Sequence, residues 1–248
     1  MPPKVSIITI TYNAESLLPG TMESVFEQSY TNIEYVIVDG ASTDDTVALI
    51  RANAEKISQW ISEPDKGLYD AMNKGLELAK GDFVLFLNAG DHLHETETIE
   101  KVFANADKNT DILFGEVMLV DADRNEIGSR SDLSTQKLPD NLVWTSLRYG
   151  MVVSHQAFIV RRGIAPRYIS DNLCADIDWV IKSLKKSTQT VNTQLIISDY
   201  LIGGVSKQRH RQSMKDRYHV LKSHFGFIPN LFNHAWIVLR ALLSRNRY

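Results

Sequence analysis

Three short apolar runs stand out in the first ninety residues, at 4–10, 33–38 and 82–87, each bounded by turn or polar residues. Unbroken runs of this length fit strands buried on both faces of a parallel sheet. Between them the period changes. Leu17, Leu18, Met22, Val25 and Phe26 share one helical face in 14–27. Thr43 can cap a helix over 43–54, with Asp44 and Asp45 in its first turn. Leu68, Ala71, Met72, Leu76 and Ala79 form a third stripe over 68–79, closed by Gly81. The order strand–helix–strand–helix–strand–helix–strand through residue 87 predicts right-handed crossovers. The expected fold class is α/β, with a mostly parallel, doubly wound central sheet and a C-terminal helical extension.

Beyond residue 110 the pattern is less regular. Strands are expected at 111–120, 155–160 and 195–202, and helices at 175–186, 212–224 and 230–243, the last two parted by Gly226 and Pro229. No internal repeat or Gly/Ser linker interrupts the chain, so one domain over 1–205 with an extension over 206–248 is expected. Doubly wound sheets bind ligands beyond the carboxyl ends of their strands. Those ends read Thr11-Tyr12-Asn13, Asp39-Gly40-Ala41-Ser42 and Asn88-Ala89-Gly90-Asp91, all polar.

Composition narrows the class. With 248 residues, 44% hydrophobic and 23% charged, the chain is neither disordered nor low-complexity. A single cysteine, Cys174, excludes a disulfide framework and a Cys-rich zinc site. The opening Met1–Ser6 lacks an apolar signal region and no run reaches 18 uncharged apolar residues, so a cytoplasmic protein is expected. Charge is unevenly spread. Residues 206–248 carry nine Lys/Arg against one acid, Asp216, a net +8 that leaves −11 for the rest. A basic tail rich in Phe, Leu and Trp suits an anionic membrane surface; the competing explanation is a helix packed on the domain. No nucleic-acid partner is expected.

Neither a Gly-x-Gly-x-x-Gly turn nor a Gly-x-x-x-x-Gly-Lys loop is present, which argues against a nicotinamide dehydrogenase or P-loop NTPase. Asp39 can accept from a base N–H, or merely cap a turn. Lys66 can reach a phosphate near a helix N-terminus, or lie in a solvated loop. Asp91 can share a hard divalent cation with a diphosphate, or cap the helix starting near Thr96. His92 and His94 lack a third zinc ligand and are expected at the surface. Asp176 and Asp178 precede a helix; one can act as a general base, and N-capping does not readily employ both. His155 precedes a strand and is either a ligand contact or structural. Cys174 is expected to be a small buried side chain, not a nucleophile.

Taken in order, Ser6–Asn13, Val38–Thr46, Ser62–Gly75, Gly81–Asp91, Ser154–Phe158, Ala175–Asp178 and Gly203–Ser206 resemble the family 2 glycosyltransferases of the GT-A fold. The likeness is to bacterial exopolysaccharide, O-antigen and colanic-acid glycosyltransferases. The resemblance implies inverting transfer of a sugar from a UDP- or GDP-sugar to an acceptor hydroxyl, with a lipid-linked or oligosaccharide acceptor. It implies a nucleotide-sugar site at Thr11, Tyr12, Asn13, Asp39, Asp65, Lys66, Asn88 and Gly90. It makes Asp176 the general base, Asp178 a support for the helix start, and His155 a residue near the donor–acceptor junction. Gly203–Ser206 becomes a loop over the site. The family often has Asp-x-Asp-Asp where this chain has Asn88-Ala89-Gly90-Asp91, leaving Asp91 as the only carboxylate for a Mn²⁺ or Mg²⁺ ion. The implied location is cytoplasmic or peripheral at the inner face of the cytoplasmic membrane. Two alternatives are a non-catalytic nucleotide-sugar-binding scaffold and a sugar nucleotidyltransferase; the latter lacks its basic, Gly-rich phosphate loop.

Overall fold

The computed structural model describes residues 2–104, 106–203 and 210–243. Its first half winds in the expected order: β1 (Val5–Thr11), α1 (Leu18–Phe26), β2 (Ile33–Asp39), α2 (Thr46–Ala52), β3 (Gln59–Ser62), α3 (Leu68–Leu78) and β4 (Phe83–Phe86). β5 (His92–Leu93), α4 (Thr98–Ala104), β6 (Ile112–Val120), β7 (Glu126–Ser129) and α5 (Arg130–Leu133) follow. The chain then forms β8 (Phe158–Arg161), α6 (Ala175–Lys186), β9 (Thr190–Leu201), α7 (His210–Phe225) and α8 (Phe227–Leu243). One sheet takes the order β3-β2-β1-β4-β8-β6-β9-β5, with β7 beside β6. β3, β2, β1 and β4 run parallel; β8 runs against both its neighbours; β9 is parallel to β6.

Alternation along the strands assigns side chains to two cores. Ile8, Ile10, Val36, Val38 and Phe86 face one side, covered by α3 and α6 through Ala71, Met72, Trp179 and Val180. Val5, Ile7, Tyr35, Ile37 and Leu85 face the other, covered by Leu18, Met22, Ile50 and Val102 of α1, α2 and α4. α3 packs against β1 where Gly75 leaves room: a Cβ there would collide with Cγ2 of Ile8. Val220, Leu221 and Ile237 of the tail helices join the first core, so the extension shares the main core. The expected boundary at 205/206 lies outside the described residues.

Some element limits move. α1 starts at Leu18, with Pro19 in its first turn, where a missing N–H costs nothing. α2 starts at Thr46, because the Thr43 N–H is taken by Asn13 Oδ1 at 2.8 Å and Asp44 Oδ1 accepts the Thr46 N–H at 3.0 Å. β9 begins five residues before its expected start and is bulged, with Gln194 at φ 58°. α8 begins at Phe227, with Pro229 inside its first turn. Among the described residues no helix is long and apolar enough to cross a membrane.

Candidate active site

The ends of β1 and β2 lie side by side, Thr11 opposite Asp39. Asp39 is fully buried. One carboxylate oxygen accepts from the Ser42 N–H at 3.0 Å and the Ser62 hydroxyl at 2.6 Å, and the other accepts the Ser42 hydroxyl. The carboxylate thus fastens the ends of β2 and β3 to the following loop. Asn13, at φ 45°, is likewise used inside the protein: its N–H donates to Ser42 Oγ, and its side-chain oxygen holds Thr43. The surface they shape is bordered by Tyr12, 62% exposed, and by Asp65. Both crowd Gly40. A Cβ there would lie 2.5 Å from Asp65 Oδ2 and 3.3 Å from the Tyr12 ring. Asp65 Oδ1 accepts the Gly67 N–H at 2.8 Å, while Oδ2 faces Gly40 and Tyr12. Lys66 is exposed just before α3, at a turn whose Gly67 has φ 114° with open space around it.

At the end of β4, the short 3-10 turn His155–Ala157 presses two side chains against the Asn88–Asp91 segment. Asn88 Nδ2 lies 3.3 Å from His155 Nε2, and Gln156 Nε2 donates to Asp91 Oδ2 at 3.0 Å. Burial pushes the His155 ring down to about 4, so it is neutral near pH 7. Asp91 Oδ1 accepts the Leu201 N–H at 3.2 Å, and Arg124 anchors the turn through the Gly90 carbonyl at 2.7 Å. Burial raises the Asp91 carboxyl to about 7 despite Gln156, Leu201 and Arg124, all of which favour its ionised form. The buried atoms Thr11 Oγ1 and Asn88 Oδ1 have no protein partner. Buried polar atoms are normally paired; Arg124 Nη1 and Tyr168 Oη, on residues near the same strand ends, are likewise without a protein partner.

Asp176 sits in the first turn of α6 and is partly buried, accepting the Ile177 N–H at 2.9 Å. It lies by an aromatic floor. Tyr168 stacks on Trp179 at 5.0 Å and on Tyr69 at 5.4 Å, and Phe86 meets both Tyr168 and Trp179 edge-on. Burial raises the Asp176 carboxyl to about 6, offset in part by its backbone hydrogen bonds and the charge of Arg130. Burial raises the Tyr200 hydroxyl, and the negative charges of Asp91 and Asp176 add to that rise. Asp178, two positions on, points elsewhere: its oxygens meet His224 Nε2 and Lys182 Nζ, each at 2.8 Å. Burial alone would raise this carboxyl, but those two hydrogen bonds and charges bring it below the usual value. Asp178 therefore joins α6 to α7 instead of supporting the helix start.

Several expectations change at this site. Asp39 and Asp91 are enclosed by protein donors, and Asp176 is the more accessible of the three carboxylates that the strand and helix ends present. His92 and His94 are partly buried, not at the surface: His94 pairs with Asp199 at 2.6 Å, and the His92 ring lies against Gly20. Cys174 is buried near Ser213, and burial raises its thiol to about 11, as suits a packing side chain. Of the loop Gly203–Ser206, only Gly203 is among the described residues. Tyr168, Arg124 and Tyr200 carry no motif of their own, and Tyr69 lies inside the Ser62–Gly75 segment without a role assigned to it there. Gln156 and Trp179 adjoin motif residues already singled out, and that adjacency was the available signal.

Among the described residues no group of three His, Cys, Asp or Glu side chains could cage a metal ion. The donors at the β4 end are one carboxylate, Asp91, and the unpaired Asn88 oxygen. A cation there would have to bring most of its ligands as phosphate oxygens and water, as Mg²⁺-like ions commonly do.

Comparison with known proteins gives the site its context. A PGL/p-HBAD biosynthesis glycosyltransferase of Mycobacterium bovis is 30% identical over 215 residues, covering 82% of this chain and 79% of its own length. An uncharacterized glycosyltransferase of Haemophilus influenzae is 30% identical over 128 residues, half of this chain. Among solved structures, S. aureus TarS in complex with UDP-GlcNAc superposes with a TM-score of 0.71 at 21% identity, covering 88% of this chain and 64% of that one. This chain therefore spans under two thirds of that protein. The mannosyltransferase PcManGT from Pyrobaculum calidifontis, in complex with GDP-Man and Mn²⁺, gives 0.65 at 16% identity, over 98% of this chain and 76% of that one. At such identities these two establish the GT-A fold. Residues 6–165, more than half of the chain and holding the ends of β1, β2, β3 and β4, match the family described as Glycosyl transferase family 2, and this chain is a glycosyltransferase belonging to that family.

Proposed function

We propose that this glycosyltransferase moves a sugar from a UDP- or GDP-sugar to the hydroxyl of a lipid-linked glycan in bacterial surface polysaccharide synthesis, with Asp176 as the base. The observation that carries the reading is the placement of Asp176. A carboxyl at the start of a helix, beside an aromatic floor and held near pH 6, is ionised at neutral pH yet basic enough to take a hydroxyl proton. The relatives and the solved structures lend support through the nucleotide sugars that the latter bind, UDP-GlcNAc and GDP-Man.

In this reading Tyr12 and Asp65 border the nucleoside around Gly40, and Thr11 Oγ1 and Asn88 Oδ1 bond to donor polar groups. Asp39 and Asn13 keep that cradle in shape. Lys66, at the open Gly67 turn, faces the diphosphate. Neutral His155 holds Asn88 and lines the donor–acceptor junction. As the acceptor oxygen attacks the anomeric carbon, its proton passes to Asp176. The bond from that carbon to the phosphate oxygen breaks, the electron pair leaves with the nucleoside diphosphate, and the configuration inverts. A divalent cation held by Asp91 beside Gly90, arriving with the diphosphate, would neutralise charge on the leaving group.

The decisive experiment is Asp176→Asn. Transfer and donor hydrolysis are expected to fall at least about a thousandfold while UDP or GDP binding by calorimetry is retained. Undiminished turnover would remove the base assignment. The scaffold alternative draws on the enclosure of Asp91, and it predicts no donor turnover by the wild type in Mn²⁺.

A further inference from the structure

α8 packs in an unusual sense. Around its axis, the side chains turned to the body are Asn230, Asn233, His234, Ile237 and Arg240, mostly polar, with Asn230 donating to the Tyr218 carbonyl at 3.1 Å. The opposite half is wholly apolar and solvent-facing. Phe227, Ile228, Leu231, Phe232, Val238 and Leu239 are each 47–71% exposed, and no polar side chain interrupts them. A surface helix ordinarily buries this stripe and exposes the polar one. Contiguous exposed apolar surface of this kind marks an interaction site.

Charge identifies the occupant. On α7 the exposed Arg211, Lys215 and Lys222, at i, i+4 and i+11, share one helical face. Lys222 Nζ lies 5.4 Å from the Phe227 ring, so this basic stripe borders the apolar one. The only acid in either helix, Asp216, is buried and accepts from Leu173 N–H and Gln212. An apolar face edged by cations and free of exposed acids complements a bilayer interface with anionic headgroups. A second copy docked symmetrically on this face would oppose basic stripe to basic stripe, which disfavours self-association.

We infer that the outer face of α8, flanked by the Arg211–Lys215–Lys222 stripe, is a docking surface for an anionic lipid bilayer. The inference rests on the transferase reading only for its purpose, presentation of a lipid-linked acceptor. The experiment holds no donor, so failure to bind lipid and failure to transfer sugar are read separately. The full chain is sedimented with vesicles of phosphatidylcholine alone or mixed with phosphatidylglycerol, with Trp236 emission as a second readout. Co-sedimentation with the anionic vesicles, a blue shift lost in Trp236→Phe, and weakening by added salt are expected. Ile228→Ser with Phe232→Ser, and separately Lys215→Glu with Lys222→Glu, should each lower vesicle binding about tenfold while circular dichroism and Tm stay unchanged. Wild-type protein that stays in the supernatant with every vesicle overturns the inference, as does binding indifferent to both double variants. A dimer in analytical ultracentrifugation that Phe232→Ser converts to monomer, without vesicle binding, assigns the face to self-association instead.

Discussion

Asp176 derives its chemistry from its neighbours. Burial beside Tyr69, Tyr168 and Trp179 raises its carboxyl to about 6, and in the proposed mechanism the ionised form is the base. Activity should therefore fall as pH drops through about 6 and level off above it; a pH–rate profile of kcat/KM that stays flat from 5 to 8 would contradict this. Gly40 offers a test of the proposed nucleoside cradle. Ala at this position places a methyl group 2.5 Å from Asp65 Oδ2, so Asp65 must swing aside. About a tenfold loss in nucleotide affinity is expected with Tm nearly unchanged, checked by calorimetry and thermal melting. The residues of this site were legible as types at strand ends: an Asp, an Asn or a Tyr where a doubly wound sheet places its ligands. Their occupancy was not legible. Whether Asp39 faces a base or Ser42 and Ser62 depends on partners 3 and 23 residues away, and one sequence carries no record of that choice.

Legibility at the level of elements followed burial. β1, β2 and β4, central and enclosed on both faces, announce themselves as unbroken apolar runs. β3 could be expected from the strand–helix order yet not located, because Gln59-Trp60-Ile61-Ser62 is a half-polar edge strand with a single neighbour. β5 has only two residues, and the first part of β9 is polar and bulged, so neither shows the period of a strand. α6 was readable to the residue; its link to α7 was not, since Asp178 and His224 are 46 positions apart. That link is testable. Asp178→Ala leaves Lys182 and the buried His224 without their anion, and a loss of about 3 kcal/mol is expected from urea unfolding, with α7 becoming sensitive to limited proteolysis. Nucleotide affinity, proposed to be set by Tyr12, Asp65 and the ends of β1 and β4, should change little.

Over the whole molecule, one buried and one partly buried acid set part of the pH dependence of stability. Burial raises Asp91 to about 7 and Asp176 to about 6, above their values in the unfolded chain, so the folded protein binds these protons more tightly. Their contribution is complete below about pH 4 and is lost as pH rises through 6 to 7. Asp91→Asn should thus gain on the wild type between pH 5 and pH 8, by about 2 kcal/mol in denaturant melts; a constant difference across that range would refute the assignment. The fold and its two-sided core could be read from periodicity, and the unequal charge of body and tail from simple counting. That the tail turns its apolar side outward could not, because composition gives a stripe without saying what covers it. The first turn of α6 carries a last implication. Side chains two places apart on a helix diverge by roughly 200°, so one turn serves two clients, the proposed chemistry through Asp176 and the tail through Asp178. Chimeras that graft a foreign tail while keeping a histidine opposite Asp178 should therefore change the membrane affinity inferred for α8 without changing which sugar is handled.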